Sequence, residues 1–316
     1  MPLDPQVSRF LGKLALALPR GAGGLTVVER RASIERLLTL GGEPEAVARV
    51  EKSSFAGSAG SLRVWVYTPA PAPPGVLPGL VYFHGGGFVA GSLETHDGIC
   101  RSLANASGCR VVAVDYRLGP EAPFPAALLD ACAATRWTAE HAARLGIDAR
   151  LIGVCGDSAG ATLAAAVAQT LTAEQGPPLA LQFLLCPILD YVAETPSRAA
   201  FGSGYLLDRE TLQHDLHHYV GERADANDPR ISPLRAQRLE GLPTACIHTA
   251  ECDPLRDEGA AYADRLERAG VRVHYLCLPG MIHLFYGLQA LIPYAATAYR
   301  LIGADIRAAL ESGERP

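Results

Sequence analysis

"LIGVCGDSAGATLAAA" (Leu151–Ala166) decides how this chain is read. An apolar strand runs into Gly156-Asp157-Ser158-Ala159-Gly160, and an alanine-rich helical pattern follows at once. A serine on so tight a strand-to-helix turn is held in a strained conformation that thrusts its hydroxyl out of the sheet. The residues two positions to either side must be tiny for helix and strand to pass, and both are glycine here. In a chain with 32 glycines the bare G-x-S-x-G pattern also fits a plain turn capped by serine. The flanking strand and helix favour the first reading.

Outward from this stretch, short apolar runs recur at wide intervals: 80–84, 110–115, 179–186, 244–250 and 271–278. Several are apolar throughout, which suits parallel strands covered on both faces. Helical patterns lie between most of them, so the expected fold class is α/β, a mostly parallel central sheet with helices on both faces. Ahead of these, "VEKSSFAG" (50–57) and "LRVWVYTPA" (62–70) alternate as a hairpin, and "APAPPGVLPG" (70–79) is a Pro-rich loop. Residues 1 to about 48 read as helical. No strand is apparent between Cys186 and Thr244, where "LDRETLQHDLHHYVG" (207–221) reads as helix. This excursion is expected to lie above the sheet as a cap, with the N-terminal helices. No repeat or low-complexity tract is present.

With 49% hydrophobic and 19% charged residues the chain has the composition of an ordinary globular protein. Its formal net charge of −5, with no basic block, argues against a nucleic-acid or anionic-membrane surface. No apolar stretch is long enough to span a bilayer. "LALAL" (14–18), closed by Pro19 and preceded by Asp4, suits an amphipathic helix rather than a signal peptide. The eight cysteines are scattered without a C-x-x-C pair, which fits free, buried thiols in a reducing cytoplasm.

A serine hydroxyl needs a base, usually a histidine oriented by a carboxylate. Of nine histidines, His283 lies in "LPGMIHLFYG", just past the last apolar strand, where open α/β sheets place their sites. His248 and His274 lie inside strands, and His96 and His141 have no supporting context. For the carboxylate, "TACIHTAECDPLRDEG" offers several acids beyond a strand. Asp253 is favoured because Pro254 ends the strand there; Glu251 and Asp257 stay open. Asp257 and Glu258 read as a helix's first turn, where acids belong for dipole reasons alone. The order Ser158, Asp253, His283 is that of α/β-hydrolases.

"GLVYFHGGGFVAGS" (79–92) poses a second question. Gly85-Gly86-Gly87-Phe88-Val89-Ala90 satisfies a dinucleotide-binding G-x-G-x-x-A, and the next strand ends on Asp115. Yet Asp115 stands 28 positions after Gly87 rather than about 20. "GSLETHDG" also separates the loop from the next helix. The alternative is an oxyanion hole: backbone N–H groups of the loop, with that of Ala159, meeting an ester oxygen as it turns negative. An NAD-dependent oxidoreductase would leave Ser158, Asp253 and His283 without a purpose.

"HGGGF", "DYRLGPEAPFPA", "GDSAG", "DPRISPL", "DPLRDEG" and "GMIH" occur in the order and spacing of the hormone-sensitive-lipase-like branch of the α/β-hydrolases. The resemblance runs from Pro78 to the C-terminus. It implies Ser158 as nucleophile, His283 as base, Asp253 as acid, and oxyanion donors at Gly86, Gly87 and Ala159. It also implies one domain over 1–316 with a cap from about 1–48 and about 188–230, and often a homodimer formed by sheet edges. A carboxylesterase acting on small, short-acyl esters follows, with no metal or cofactor and a cytoplasmic setting. Ligand-binding members of the branch that do not turn substrate over lack the histidine; His283 argues against that class. Two departures stand out. Gly119 replaces the usual alanine, and Leu284 replaces the glycine that commonly follows the histidine, where it is expected to narrow the pocket.

His214 with His217 or His218, at i+3 or i+4 on one helical face, could begin a zinc site, but no third ligand is apparent, and a solvated cap helix is the plainer account. Asp157 suits structural hydrogen bonding. His84 is expected to hold the glycine loop, and Arg117 and Glu121 the loop after the 110–115 strand. Phe88, Phe124 and Tyr205 are either pocket lining or plain core.

Overall fold

Alternation of side chains across each strand explains why the apolar runs look continuous. On β3 (Leu77–Phe83) and β4 (Arg110–Val114), Val81, Phe83, Val112 and Val114 enter one core, while Leu80, Tyr82, Val111 and Ala113 enter another. Both faces are buried, so no polar position recurs. The computed structural model describes residues 3–17, 25–57, 59–221 and 224–311.

The remaining strands are β1 (Arg49–Gly57), β2 (Gly60–Thr68), β5 (Ile147–Asp157), β6 (Leu181–Leu185), β7 (Thr244–Ala250) and β8 (Val273–Leu278). The eight form one sheet in the order β1-β2-β4-β3-β5-β6-β7-β8. The expected hairpin is β1–β2, and it pairs antiparallel, as does β2 with β4. All other neighbours are parallel. Helices α3 (Asp97–Ser107) and α9 (Tyr294–Glu311) share the core of Leu80 and Tyr82. On the opposite face α4 (Ala126–Glu140), α5 (Ala159–Ala173) and α8 (Arg256–Arg268) share that of Val81 and Phe83. The alanines of α5 are buried almost without exception, letting it press closely on the central strands.

Four helices lie outside this alternation: α1 (Pro5–Ala17), α2 (Val27–Thr39), α6 (Pro196–Phe201) and α7 (Arg209–Val220). Among the described residues no strand interrupts the stretch between β6 and β7, as expected. Local chemistry starts these helices. Thr26 and Glu29 form a reciprocal capping box at α2, the Glu29 carboxylate accepting the Thr26 N–H at 2.8 Å. Asp208 caps α7 by accepting the Thr211 N–H at 2.7 Å, and Gly221 ends it at a φ of 65°. The expectation of a solvated α7 is corrected. Gln213 and His217 face water, but Thr211, Leu212, Asp215, Tyr219 and Val220 are buried. The expected end of the first helix at Pro19 lies outside the described residues.

Candidate active site

Parallel strands place the loops at their carboxyl ends along one rim. Ser158 follows β5, Asp253 follows β7, His283 follows β8, and the glycine loop follows β3. Ser158 has φ 53° and ψ −120°, a left-handed conformation that L-residues adopt only under constraint. Its N–H donates to the Leu185 carbonyl of β6 at 2.8 Å, which anchors the turn. A methyl group at Gly160 would lie 2.0 Å from the Phe83 carbonyl oxygen. Helix α5 and strand β3 therefore touch backbone to backbone, as the small-residue requirement anticipated.

The Ser158 Oγ lies 3.0 Å from His283 Nε2. On the far side of the ring, His283 Nδ1 lies 2.8 Å from Asp253 Oδ2. Asp253 is fully buried, and its Oδ1 accepts the Leu255 N–H at 2.9 Å. The other acids are engaged elsewhere. Glu251 accepts the Gly280 N–H at 2.7 Å, and Asp257 accepts the Ser197 N–H at 2.8 Å. Asp257 and Glu258 lie in the first turn of α8, as expected, but Glu258 does more than face the helix dipole. It is fully buried, accepts the Leu189 and Asp190 N–H groups at 2.9 Å, and pairs with Arg198 at 2.6 Å. Burial pushes its carboxyl up to about 7 despite Arg198.

In the glycine loop, Gly86 and Gly87 have φ of 120° and 67°. The Gly85 N–H donates to Asp157 Oδ1 at 2.9 Å. Among the described residues, the N–H groups of Gly86, Gly87 and Ala159 donate to no backbone or side-chain acceptor. The loop does not open a helix, since α3 begins only at Asp97, which removes the geometry a pyrophosphate would use. Asp157 has the structural role expected of it. Besides Gly85 it accepts from the Tyr82 hydroxyl, and from that of Tyr286 at 3.4 Å. His96, featureless in sequence, lies 3.6 Å from it. His84 bonds the Gly85 carbonyl at 2.8 Å and stacks on Tyr116. Burial, and then the neighbouring His96, pushes its ring down to about 3, so it remains neutral.

Of the further contributors, Arg31 carries no sequence signal. Arg31 of α2 donates to the Val89 and Gly119 carbonyls at 2.8 and 3.1 Å and pairs with Glu121, gripping the glycine loop from the N-terminal side. Arg117 ties the loop after β4 to Asp130 of α4, as expected. Phe88 stacks on Tyr219 of α7 with ring centroids 3.8 Å apart and is buried core; Phe124 meets the same tyrosine edge-on. Phe201 of α6 packs edge-on against Tyr205. Cys186 Sγ, an Asp253 oxygen and a His283 nitrogen lie within 4.8 Å of one another, the one such donor cluster among the described residues. His214, by contrast, is engaged with Asp215 at 3.1 Å.

Leu284 stands directly after His283 in the chain. It has φ 60°, the left-handed region that glycine enters freely. Its side chain is buried, and its Cδ1 closes around Gly287 with Leu38 of α2 and Ile99 of α3. The leucine thus packs the helices flanking the histidine loop. Leu284→Gly would relieve about 1 kcal/mol of backbone strain. It would also forfeit a buried leucine worth about 3 kcal/mol. Packing wins, and the urea midpoint is expected to fall by an amount equivalent to about 2 kcal/mol. A raised midpoint would show that strain dominates.

Residues 80–287 match a family model described as alpha/beta hydrolase fold. The chain is 38% identical over 309 residues to an ethyl acetate hydrolase of Pseudomonas putida, covering 93% of this chain and 95% of that protein. It is 41% identical over 298 residues to the esterase LipI of Mycobacterium tuberculosis, covering 94% and 92%. Among solved structures, an ester hydrolase from the metagenome of Lake Arreo superposes with a TM-score of 0.94 at 40% identity, covering 98% of this chain and 100% of that one. A hyperthermophilic esterase from the archaeon Pyrobaculum calidifontis superposes with a TM-score of 0.91 at 38% identity, covering 98% and 99%.

Proposed function

The chain belongs to the α/β-hydrolase fold family and is a carboxylic ester hydrolase; we propose that it acts on small, short-acyl esters through a Ser158 acyl-enzyme. The observation that carries this reading is the continuous relay from Ser158 Oγ through His283 to Asp253, at 3.0 and 2.8 Å. His283 Nε2 takes the hydroxyl proton as Ser158 attacks the ester carbonyl. Asp253 holds the ring with Nδ1–H toward itself and stabilises the imidazolium. The carbonyl oxygen, now negative, is met by the N–H groups of Gly86, Gly87 and Ala159, whose lack of other acceptors among the described residues supports this role. His283 then protonates the departing alcohol. A water, deprotonated by the same ring, releases the acid and regenerates the serine.

In this reading α1, α2, α6 and α7 form a cap within a single domain. Its support is the grip of α2 on the glycine loop and the stacking of Tyr219 from α7 on Phe88. A small acyl chain fits a loop so closely covered, and the name of the Pseudomonas relative points the same way. Turnover of a p-nitrophenyl ester series tests it. The expected kcat/KM is highest for acetate to butyrate and at least about tenfold lower for decanoate, since each added methylene must find covered space. A maximum at decanoate would contradict the short-acyl reading.

A further inference from the structure

Beside the glycine loop lies a buried ion pair that the scheme above does not use. Arg30 of α2 reaches Asp215 of α7, with Nη2 2.7 Å from Oδ2 and Nε 3.1 and 3.2 Å from the two oxygens. The side chains are only 9% and 5% exposed. The carboxylate rests on Gly87: a methyl group built there would lie 1.9 Å from Asp215 Oδ2. One C–C bond more, about 1.5 Å, puts the Gly87 Cα within roughly 3.4 Å of that oxygen. An acid therefore sits against a residue whose amide is aimed at the developing oxyanion.

That placement is awkward. A tetrahedral intermediate concentrates negative charge on the former carbonyl oxygen, and in a water-poor site an unpaired carboxylate nearby repels it strongly. A buried ion pair is moreover weak evidence for stability, because an apolar pair of similar volume serves as well or better. Its position at the glycine loop asks for another account.

We infer that Arg30 is a positioning residue that neutralises Asp215, so that the amides of the glycine loop present an uncompromised positive field to the oxyanion. The carboxylate fixes α7 and α2 over Gly87, and the guanidinium removes the charge that this fixation would otherwise bring to the site. His214, whose Nδ1 lies 3.1 Å from Asp215 Oδ1, also faces the pair, and the buried Tyr191 lies within electrostatic reach of Asp215.

The inference rests on the esterase reading, so the two are tested separately. Wild-type turnover of p-nitrophenyl acetate that disappears in Ser158→Ala establishes the reading; without it, the reading fails before any variant of the pair is measured. Kinetics and Tm are then compared for Arg30→Gln, Asp215→Asn and the double variant. Each single variant leaves one buried charge without its guanidinium or carboxylate counter-charge and lowers Tm, but the effects on kcat differ. Arg30→Gln is expected to lower kcat about tenfold or more with KM little changed. Asp215→Asn is expected to keep kcat at least about tenfold above that of Arg30→Gln, because the remaining charge attracts the oxyanion. Adding Asp215→Asn to Arg30→Gln should bring kcat back to within about threefold of wild type. Equal losses of kcat in both single variants, in step with Tm, would overturn the inference and leave a purely structural clamp. A double variant no faster than Arg30→Gln would do the same.

Discussion

Ser158→Ala is expected to lower kcat for p-nitrophenyl acetate by about 10⁴-fold or more while leaving the fold intact. Removing the nucleophile of such a relay removes the covalent route altogether, and what remains is the modest catalysis of binding and oxyanion stabilisation. Stability should change little. The substitution deletes one oxygen bonded to His283 at 3.0 Å, an interaction worth about 1 kcal/mol, and alanine meets the same left-handed constraint as serine. An unchanged circular dichroism spectrum and a Tm within a few degrees of wild type check this second half. Retention of more than about a tenth of the activity would require another nucleophile. Cys186 stands nearest the relay, but burial raises its thiol well above the ordinary range and keeps it protonated, so it is not expected to substitute.

Asp253→Asn is the second large effect, an expected loss of about 10³- to 10⁴-fold in kcat. The structure dictates how the new amide must sit. The Leu255 N–H, now accepted by Asp253 Oδ1 at 2.9 Å, still needs an acceptor in a fully buried site, so the asparagine carbonyl oxygen takes that place. Its NH₂ then faces His283 Nδ1, where Oδ2 was 2.8 Å away. The ring must present a lone pair to that donor, and its proton moves to Nε2. A histidine protonated at Nε2 cannot accept from Ser158, so the base is lost although every atom is nearly in place. The variant should fold, since the amide satisfies both neighbours. A loss smaller than about tenfold would mean that the carboxylate does not set the tautomer.

Much of the sheet was legible because its determinants are local. Runs such as "LVYFH" and "RVVAVD" are apolar on both faces, and only a sheet covered twice accommodates them. The turn around Ser158 was legible for a similar reason: five consecutive residues specify strand, left-handed serine and helix. The choice among Glu251, Asp253 and Asp257 was not fully legible, because all three follow one strand and only the folded loop decides which side chain turns toward residue 283. Glu251 turns to the Gly280 N–H and Asp257 to the Ser197 N–H.

What escaped the sequence has a common physical form. Arg30 and Arg31 are adjacent on an ordinary-looking helix, yet their partners lie far along the chain, at Asp215, Val89 and Glu121. Nothing in a helical pattern separates an arginine facing water from one buried against another segment. His96 and Cys186 were silent for the same reason, since their roles depend on Asp157 and Asp253 being folded against them. Leu284 shows the converse. Its departure from the usual glycine was visible, but that it occupies a left-handed site and packs between α2 and α3 required the backbone.

The central claim is that the folded chain makes one hydroxyl, that of Ser158, into a nucleophile. Incubating the native protein with a fluorophosphonate, then measuring intact mass and mapping the modified peptide, tests it most directly. The account predicts a single adduct on Ser158, formed in step with the loss of esterase activity and absent from Ser158→Ala. Esterase activity that survives exposure with Ser158 unmodified, or an inactivating adduct mapped to another residue, would contradict it.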